Sequence, residues 1–93
     1  MTALQSVLLT LPARLDDRAM AAFEGVFSEL LDSAATSFQR DDAGDWQIEA
    51  LFTFTPDAAM IDQMLAPIYQ RESIAPVLIT ILPVEQRDWL AEN

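Results

Sequence analysis

The sequence contains no cysteine, no histidine and no lysine. Without cysteine or histidine, the chain cannot form a disulfide or a metal site with thiolate or imidazole ligands. Cysteine and histidine catalysis are excluded for the same reason, and Schiff-base catalysis is excluded because it needs a lysine amine. The only glycines, Gly25 and Gly44, are too few for a phosphate-binding loop or a dinucleotide-binding motif. The sequence therefore provides no catalytic, cofactor-binding or metal-binding motif.

Positive charge and long apolar runs are also scarce. Five arginines stand against fifteen acidic residues, which gives a net charge of −10. We expect no nucleic-acid partner, because contacts with phosphates need positive charge. No basic residue precedes Arg14, and the apolar runs are only a few residues long, so we expect neither a signal peptide nor a membrane span. An acidic surface is also repelled by anionic lipid, so we expect a cytoplasmic protein that does not bind membranes.

Hydrophobic residues make up 52% of the 93 residues, which predicts one domain with one core. Alternating and helical patterns predict strands at residues 4–11, 35–40, 46–54 and 76–82, with helices at residues 17–32 and from Thr55 onward. Two right-handed crossovers then place both helices on one face of a four-stranded antiparallel sheet, with the first and third strands in the middle. The predicted fold is α+β, a ferredoxin-like βαββαβ two-layer sandwich.

Local signals predict where the helices begin and end. Asp16 is a plausible N-cap of the first helix. Gly25 lies inside that helix, where we expect close packing against the sheet to explain it. The segment 55–57 is expected to open the second helix, with Thr55 as N-cap. Pro67 should kink or end that helix, because its ring removes a hydrogen bond.

The aromatic residues suggest a core side and a surface side. In the third strand, Trp46, Phe52 and Phe54 are expected to face the core, while Glu49 faces the open side of the sheet. Aromatic side chains on the core side are not placed to stack on RNA bases. Tyr69 is expected to pack with its hydroxyl group at the surface.

Four acidic residues are candidates for an acidic contact surface: Asp41, Asp42, Asp45 and Glu49. The first three lie in a turn with Gly44, but their spacing does not match an EF-hand, because Ala43 occupies a ligand position and no bidentate Glu follows. The alternative is a turn whose carboxylates are simply solvated. A strongly acidic domain without catalytic groups is expected to bind something basic.

The segment Val84–Asn93 resembles the junction between two domains in the PrmA family, the methyltransferases of the eleventh protein of the large ribosomal subunit. In that family an acidic residue, a short gap and an Asp-Trp pair follow the fourth strand, and here Asp88 and Trp89 form that pair. The segment Trp46–Phe52 looks like a strand of the family's N-terminal domain.

The resemblance implies a division of labour. Residues 1–83 would be the ferredoxin-like substrate-recognition domain, which binds the basic ribosomal protein, and residues 84–93 would begin the linker helix to a catalytic domain that is absent from this chain. In the family, that Rossmann-like domain binds S-adenosylmethionine and transfers methyl groups to lysine side chains and an N-terminal amine. Asp88 and Trp89 are candidates for docking the linker helix, and the alternative for Trp89 is that it simply covers apolar surface.

A second interpretation needs no catalytic domain. The chain could be a stand-alone acidic ferredoxin-like domain that regulates or binds a small ligand. Leu51 and parts of the first strand would then make the open face of the sheet apolar enough for a homodimer. The oligomeric state distinguishes the two interpretations.

Overall fold

The structure, a computed structural model, describes residues 4–84. In chain order its elements are β1 (Gln5–Leu11), α1 (Asp17–Gly25), a π-helix (Val26–Leu30), β2 (Ala35–Arg40), β3 (Trp46–Phe52), α2 (Ala58–Glu72) and β4 (Thr80–Pro83). The four strands form one antiparallel sheet in the order β2-β3-β1-β4, so β1 and β3 are central as predicted. The predicted ferredoxin-like sandwich is confirmed.

Alternation along the central strands creates the core. Val7, Leu9 and Leu11 of β1 are buried, and the register places them beside Ala50, Ile48 and Trp46 of β3. The helices contribute buried side chains to the same cluster, namely Ala19, Met20, Phe23, Phe27, Ile61, Leu65, Ile68 and Tyr69. Both helices therefore cover one face of the sheet, and the other face carries the intervening residues of each strand.

The first helix begins as predicted but ends differently. The Asp16 side chain accepts a hydrogen bond from the backbone N–H of Ala19 at 2.9 Å, which confirms the N-cap. After Gly25 the helix widens into the π-helix, and the Leu31 N–H donates to the carbonyl of Val26. The expected close packing at Gly25 is wrong, since an added Cβ would have no atom within 4 Å. This glycine instead marks the change from α- to π-helical winding.

The second helix begins later than predicted. Its N-cap is Asp57 rather than Thr55, and the Asp57 side chain accepts from the Ala59 N–H at 2.9 Å. The preceding strand ends at Phe52, so the alternation that placed Phe54 in the core no longer applies. Phe54 is 47% exposed, and the prediction that it faces the core is wrong.

Pro67 does not end the second helix, which continues for five more residues to Glu72. Ser73 then adopts a left-handed conformation at the C-cap, with φ of 58°. Of the two predicted effects of Pro67, an end of the helix is therefore wrong, because the buried neighbours Leu65 and Ile68 keep both sides of the proline packed in the core. A kink at Pro67 stays a prediction.

The last strand is shorter than predicted, since β4 begins at Thr80 rather than at Pro76. Before β4, Val77 and Ile79 are not in a strand, but their side chains still pack against the core. After β4, the Val84 N–H donates to the carbonyl of Leu4 at 2.8 Å. The chain therefore leaves the sheet beside the start of β1.

Candidate functional site

The sheet face opposite the helices is uncovered by any element described within residues 4–84, and we call it the open face. The strand register assigns to it Ser6, Leu8, Thr10, Ala35, Ser37, Gln39, Gln47, Glu49, Leu51, Thr80 and Leu82. Glu49 is the only charged residue among these eleven. A face with so little charge is unusual for a chain in which 22% of residues are charged, which makes it the first candidate for a contact surface.

Glu49 is held in place by a residue on the neighbouring strand. The Ser6 hydroxyl donates to Glu49 Oε2 at 2.9 Å, across the β1–β3 pair. Ser6 is 5% exposed, whereas Glu49 is exposed. The serine therefore orients the carboxylate through one oxygen, while the carboxylate group remains accessible to solvent. Since an ionised carboxylate can accept about four hydrogen bonds, Glu49 retains capacity for an incoming cation.

Two shallow hollows lie on either side of Leu8. The larger has a volume of about 410 Å³, and it is lined by Leu8, Leu9, Thr10, Gln47, Leu78 and Thr80. The smaller has a volume of about 250 Å³ and includes Glu49 in its lining. Leu78 is 83% exposed and borders the larger hollow. Leu8 lines both hollows, together with Leu78 in the larger and Glu49 in the smaller. This arrangement suits a lysine or arginine side chain, because its aliphatic part can pack on the leucines while its charged group reaches the carboxylate.

The three acidic residues of the β2–β3 turn have different roles. The Asp41 carboxylate accepts from the backbone N–H groups of Ala43 and Asp45, at 2.9 and 3.0 Å, so it holds the turn together. Gly44 has a φ of 92°, a left-handed conformation that favours glycine, and the predicted turn is confirmed. Asp42 is exposed and Asp45 is half-buried.

Arg40 places a positive charge behind this turn. Its Nη1 donates to the carbonyls of Ala13 and Gly44 at 2.7 and 2.8 Å. The guanidinium also lies 3.9 Å from the centroid of the Trp46 ring, in a cation–π geometry. Arg40 therefore partly neutralises the negative charge of the acidic turn. Among residues 4–84, no arginine forms an ion pair with Glu49.

The structure separates Glu49 from the other predicted acidic residues, Asp41, Asp42 and Asp45, which share the β2–β3 turn. Glu49 lies three residues beyond the first residue of β3, which is about 10 Å along the strand from the turn. Within residues 4–84, no group of three or more acidic side chains is arranged to hold a metal ion. Asp88 and Trp89, the other predicted contact residues, lie outside the described residues.

The prediction for Tyr69 is wrong. The residue is 3% exposed, and no atom in the described part of the chain lies in hydrogen-bond geometry with its hydroxyl group. Burial raises the pKa of this hydroxyl above its ordinary value of 10.0. The backbone of Val77, which faces the hydroxyl without reaching hydrogen-bond geometry, offsets part of the effect, and the charge of Asp62 adds to it. The hydroxyl lies on the core side of the sheet and does not belong to the open face.

Two residues of the open side were not singled out from the sequence. Ser6 could be assigned to the same face as Leu8 by alternation, but its hydrogen bond to Glu49 depends on the β1–β3 register. Leu78 could be found from the alternation of Val77 and Ile79, which leaves Leu78 pointing the other way.

The fold and this face define a small α+β sandwich that presents an uncovered sheet with a single anchored carboxylate. No protein-family model matches the chain, and no curated protein matches it. None of the helices described in residues 4–84 is long and apolar enough to cross a bilayer. The function is therefore inferred from the open face and the acidic turn.

Proposed function

We propose that this chain recognises a basic protein through its open face, and that it is the substrate-recognition domain of a methyltransferase acting on a ribosomal protein of the large subunit. A separate domain that binds S-adenosylmethionine would carry out the methyl transfer to lysine side chains and an N-terminal amine. The observation that carries the proposal is the anchored carboxylate of Glu49 on an otherwise uncharged face. The resemblance of the segment around Asp88 and Trp89 supports the choice of family.

The charge distribution supports a basic partner. Among residues 4–84, the ion pair found is that between Arg71 and Glu72, at 3.0 Å. Arg14 and Arg40 instead donate to backbone carbonyls, Arg14 to that of Glu72 at 2.7 Å. Most acidic side chains in this part of the chain therefore lack a cationic neighbour within it. A lysine-rich partner would supply those cations and would be steered toward the acidic surface.

The open face suggests how a basic side chain is held. The aliphatic part of a lysine or arginine would lie on Leu8, and its charged group would reach the carboxylate oxygens of Glu49. Asp42, at the exposed turn, would act at longer range and affect the association rate more than the lifetime of the complex. A partner that assembles into ribosomes would place the protein in the cytoplasm.

Titration calorimetry of the full chain with the basic ribosomal protein tests the proposal. We expect binding at low salt that weakens toward an ionic strength of about 0.15 M, where the Debye length is about 8 Å. Glu49→Gln should weaken binding about tenfold, which corresponds to about 1.4 kcal/mol for a lost charge-assisted contact. The matched control is Glu29→Gln, which removes the same charge from an exposed residue on the helical layer.

Two results would count against the proposal. One is the absence of binding at low salt by a chain that circular dichroism shows to be folded. The other is an equal effect of the Glu49 and Glu29 substitutions, because the net charge alone would then explain the binding.

The second candidate function is the stand-alone domain that dimerises through the open face. The exposure of Leu78 and Leu82, 83% and 50%, favours it. However, two of the four strands have seven residues, β2 has six and β4 only four. At about 4.8 Å between strands and about 3.3 Å per residue they cover only roughly 380 Å², whereas a standard interface buries about 800 Å² per partner. Sedimentation should show a monomer under the first proposal, and a stable dimer that Leu82→Ser dissociates would favour the second.

A further inference from the structure

Strand β2 forms one edge of the sheet, and no strand described in residues 4–84 pairs with its outer side. It has six residues, which include no proline and one charged residue, Arg40. The guanidinium of Arg40 stacks on the Trp46 ring of the neighbouring strand, so this charge is directed inward from the edge. The opposite edge strand, β4, has only four residues and ends at Pro83. Because short edge strands, prolines and outward charges prevent further pairing, β2 is the edge that remains open to another strand.

The hairpin register shows which backbone groups of β2 face outward. The Asp41 N–H donates to the carbonyl of Asp45 at 2.8 Å, so these two residues form a hydrogen-bonded pair. Such pairs alternate along an antiparallel ladder, and the odd-numbered residues of β2 therefore bond to β3. The backbone groups of the even-numbered residues point away from the sheet, namely those of Thr36, Phe38 and Arg40. Within residues 4–84, no backbone group outside the sheet bonds to them.

An added strand would place one side chain in a row with Glu49. A residue directly opposite Ser37 would direct its side chain to the open face, because Ser37 itself lies on that face. The register pairs Ser37 with Glu49, so the added residue, Ser37 and Glu49 would form one row across three strands. Leu8, Ser37 and Glu49 all line the hollow of about 250 Å³. A side chain that crosses the short serine therefore meets Leu8 and the carboxylate in the same hollow.

The distance from an added strand to Glu49 suits a lysine or arginine. Two strand spacings of about 4.8 Å give about 10 Å between the Cβ atoms of the added residue and Glu49. A charge-assisted hydrogen bond takes up about 2.8 Å of that distance. The two side chains span the rest, because they extend toward each other and a lysine carries four methylene groups. A lysine or arginine opposite Ser37 can therefore reach the carboxylate.

The charges around β2 favour a basic segment over a second copy of this chain. Asp32 precedes the strand and Asp42 follows it, and both side chains are exposed. Neither of them, nor Glu49, forms an ion pair within residues 4–84. Antiparallel pairing of two copies of β2 would bring Asp32 of one copy near Asp42 of the other, and like charges across a strand pair repel. A segment that carries lysines or arginines would instead meet an anion at each end of β2.

We propose that a basic, extended segment of the partner adds to β2 as a further antiparallel strand, with a lysine or arginine opposite Ser37 bound to Glu49. Main-chain hydrogen bonds with Thr36, Phe38 and Arg40 give affinity, and the row across Ser37 gives the preference for a basic residue. This inference rests on the function proposed above, because it assigns the cation that Glu49 binds to one strand of the partner. It adds a requirement of its own, which is that the partner has free backbone N–H groups.

Methylated peptides and the full chain test the pairing. The probe is a peptide of about eight residues, within the usual length of a strand, in which lysine and valine alternate. With its lysines on the open face, its valine N–H groups are directed at β2. N-methylation of the valines removes these donors, whereas N-methylation of the lysines removes outward donors and is the matched control. In titration calorimetry at low salt, the valine-methylated peptide should bind at least about tenfold more weakly than the control peptide. Binding of the control peptide should be weakened more by Glu49→Gln than by Glu29→Gln.

Hydrogen exchange followed by NMR gives a direct readout of the edge. With the control peptide at about ten times its Kd, exchange of the outward amides should slow about tenfold; these are the amides of Thr36, Phe38 and Arg40. The Ile81 amide is the internal control, because the β1–β4 register directs it outward at the opposite edge, and its exchange should not change.

Three results would overturn the inference. The first is a failure of the control peptide to bind, and the second is equal binding of the two methylated peptides without protection of the outward amides. If Glu49→Gln still weakens binding of the ribosomal protein in either case, the function proposed for the open face stands while the strand pairing fails. The third is protection of the outward amides in the free chain that increases with chain concentration, because a second copy would then occupy the edge.

Discussion

Tyr69 carries the least expected polar group of the structure. Its ring packs 6.0 Å from that of Phe23, and its hydroxyl group has no hydrogen-bond partner among residues 4–84. Burial raises the pKa of the hydroxyl, because the charged phenolate is poorly solvated in the core. The folded chain therefore holds this proton more tightly than the unfolded chain does.

The Tyr69 pKa predicts a loss of stability at alkaline pH. Below the ordinary tyrosine pKa of 10.0 both states keep the proton, so the contribution does not change with pH. Above it the unfolded chain ionises first, and the free energy of unfolding falls as pH rises toward the folded-state pKa. Urea unfolding between about pH 8 and about pH 11 should show this fall, and Tyr69→Phe should reduce it.

Tyr69→Phe should also cost little stability at neutral pH, within about 1 kcal/mol, because it removes a buried group that has no partner. A loss of several kcal/mol at pH 7 would show instead that the hydroxyl group makes a hydrogen bond in the folded protein.

Single residues also show which local signals were sufficient. Asp16 was identified because a cap depends only on its own short segment of chain. At the second helix, Thr55 and Asp57 are both good capping residues, and the choice depends on where β3 ends. The alternation from Trp46 continues through Phe54 in the sequence, but strand pairing stops at Phe52. The alternation of apolar and polar residues could not show that the strand ends at Phe52.

At the scale of elements, the second helix shows packing overriding local preference. Pro67 cannot donate a hydrogen bond to the carbonyl of Gln63, yet the helix continues to Glu72. Pro67 itself is exposed, while Leu65 and Ile68 are buried. The core contacts of Leu65 and Ile68 therefore stabilise the helical turn that Pro67 weakens.

We therefore predict that Pro67→Ala stabilises the protein. The substitution restores the backbone N–H donor and removes the clash of the ring, which should raise the free energy of unfolding by about 3 kcal/mol. Alanine also gives the unfolded chain more conformational freedom than proline does, which should lower the free energy of unfolding by about 1 kcal/mol. A net gain of about 2 kcal/mol should appear in urea unfolding. Pro76→Ala, at an exposed proline outside any helix or strand, is the control and should give no gain. Equal effects of the two substitutions would contradict this account.

The order of the elements was predictable, whereas the geometry of the open face was not. The patterns of β1 and β3 were enough to place these strands in the centre, because β1 is apolar on much of both faces and β3 has the clearest alternation. The contact between Ser6 and Glu49 joins residues that are 43 positions apart. It follows from the register of two strands, since a shift by one residue would turn Glu49 into the core.

For the whole molecule, the main feature is an uneven distribution of charge. The net charge is −10, yet the open face carries only the charge of Glu49. Repulsion among the remaining acidic residues opposes compaction, because arginine partners are few. The folded state is therefore expected to respond to ionic strength.

We predict that moderate salt raises the thermal midpoint of the full chain. Screening at about 0.15 M acts over about 8 Å, and each 1 kcal/mol gained shifts the midpoint by about 4–8 °C for a domain of this size. Calorimetry in increasing sodium chloride at neutral pH should show the rise. The same series near pH 4, close to the isoelectric point of about 4.1 that the sequence gives, is the control, and an equal rise there would rule out charge repulsion as the cause.

The hydrogen bond between Leu4 and Val84 has a mechanical consequence. It joins the beginning of β1 to the end of the antiparallel edge strand β4, so both points of attachment lie at the same end of that strand pair. Tension applied between these two residues would load the ladder one rung at a time and peel the edge strand away. The edge strand would therefore detach under a weak pull, because its four paired residues are lost in sequence rather than together.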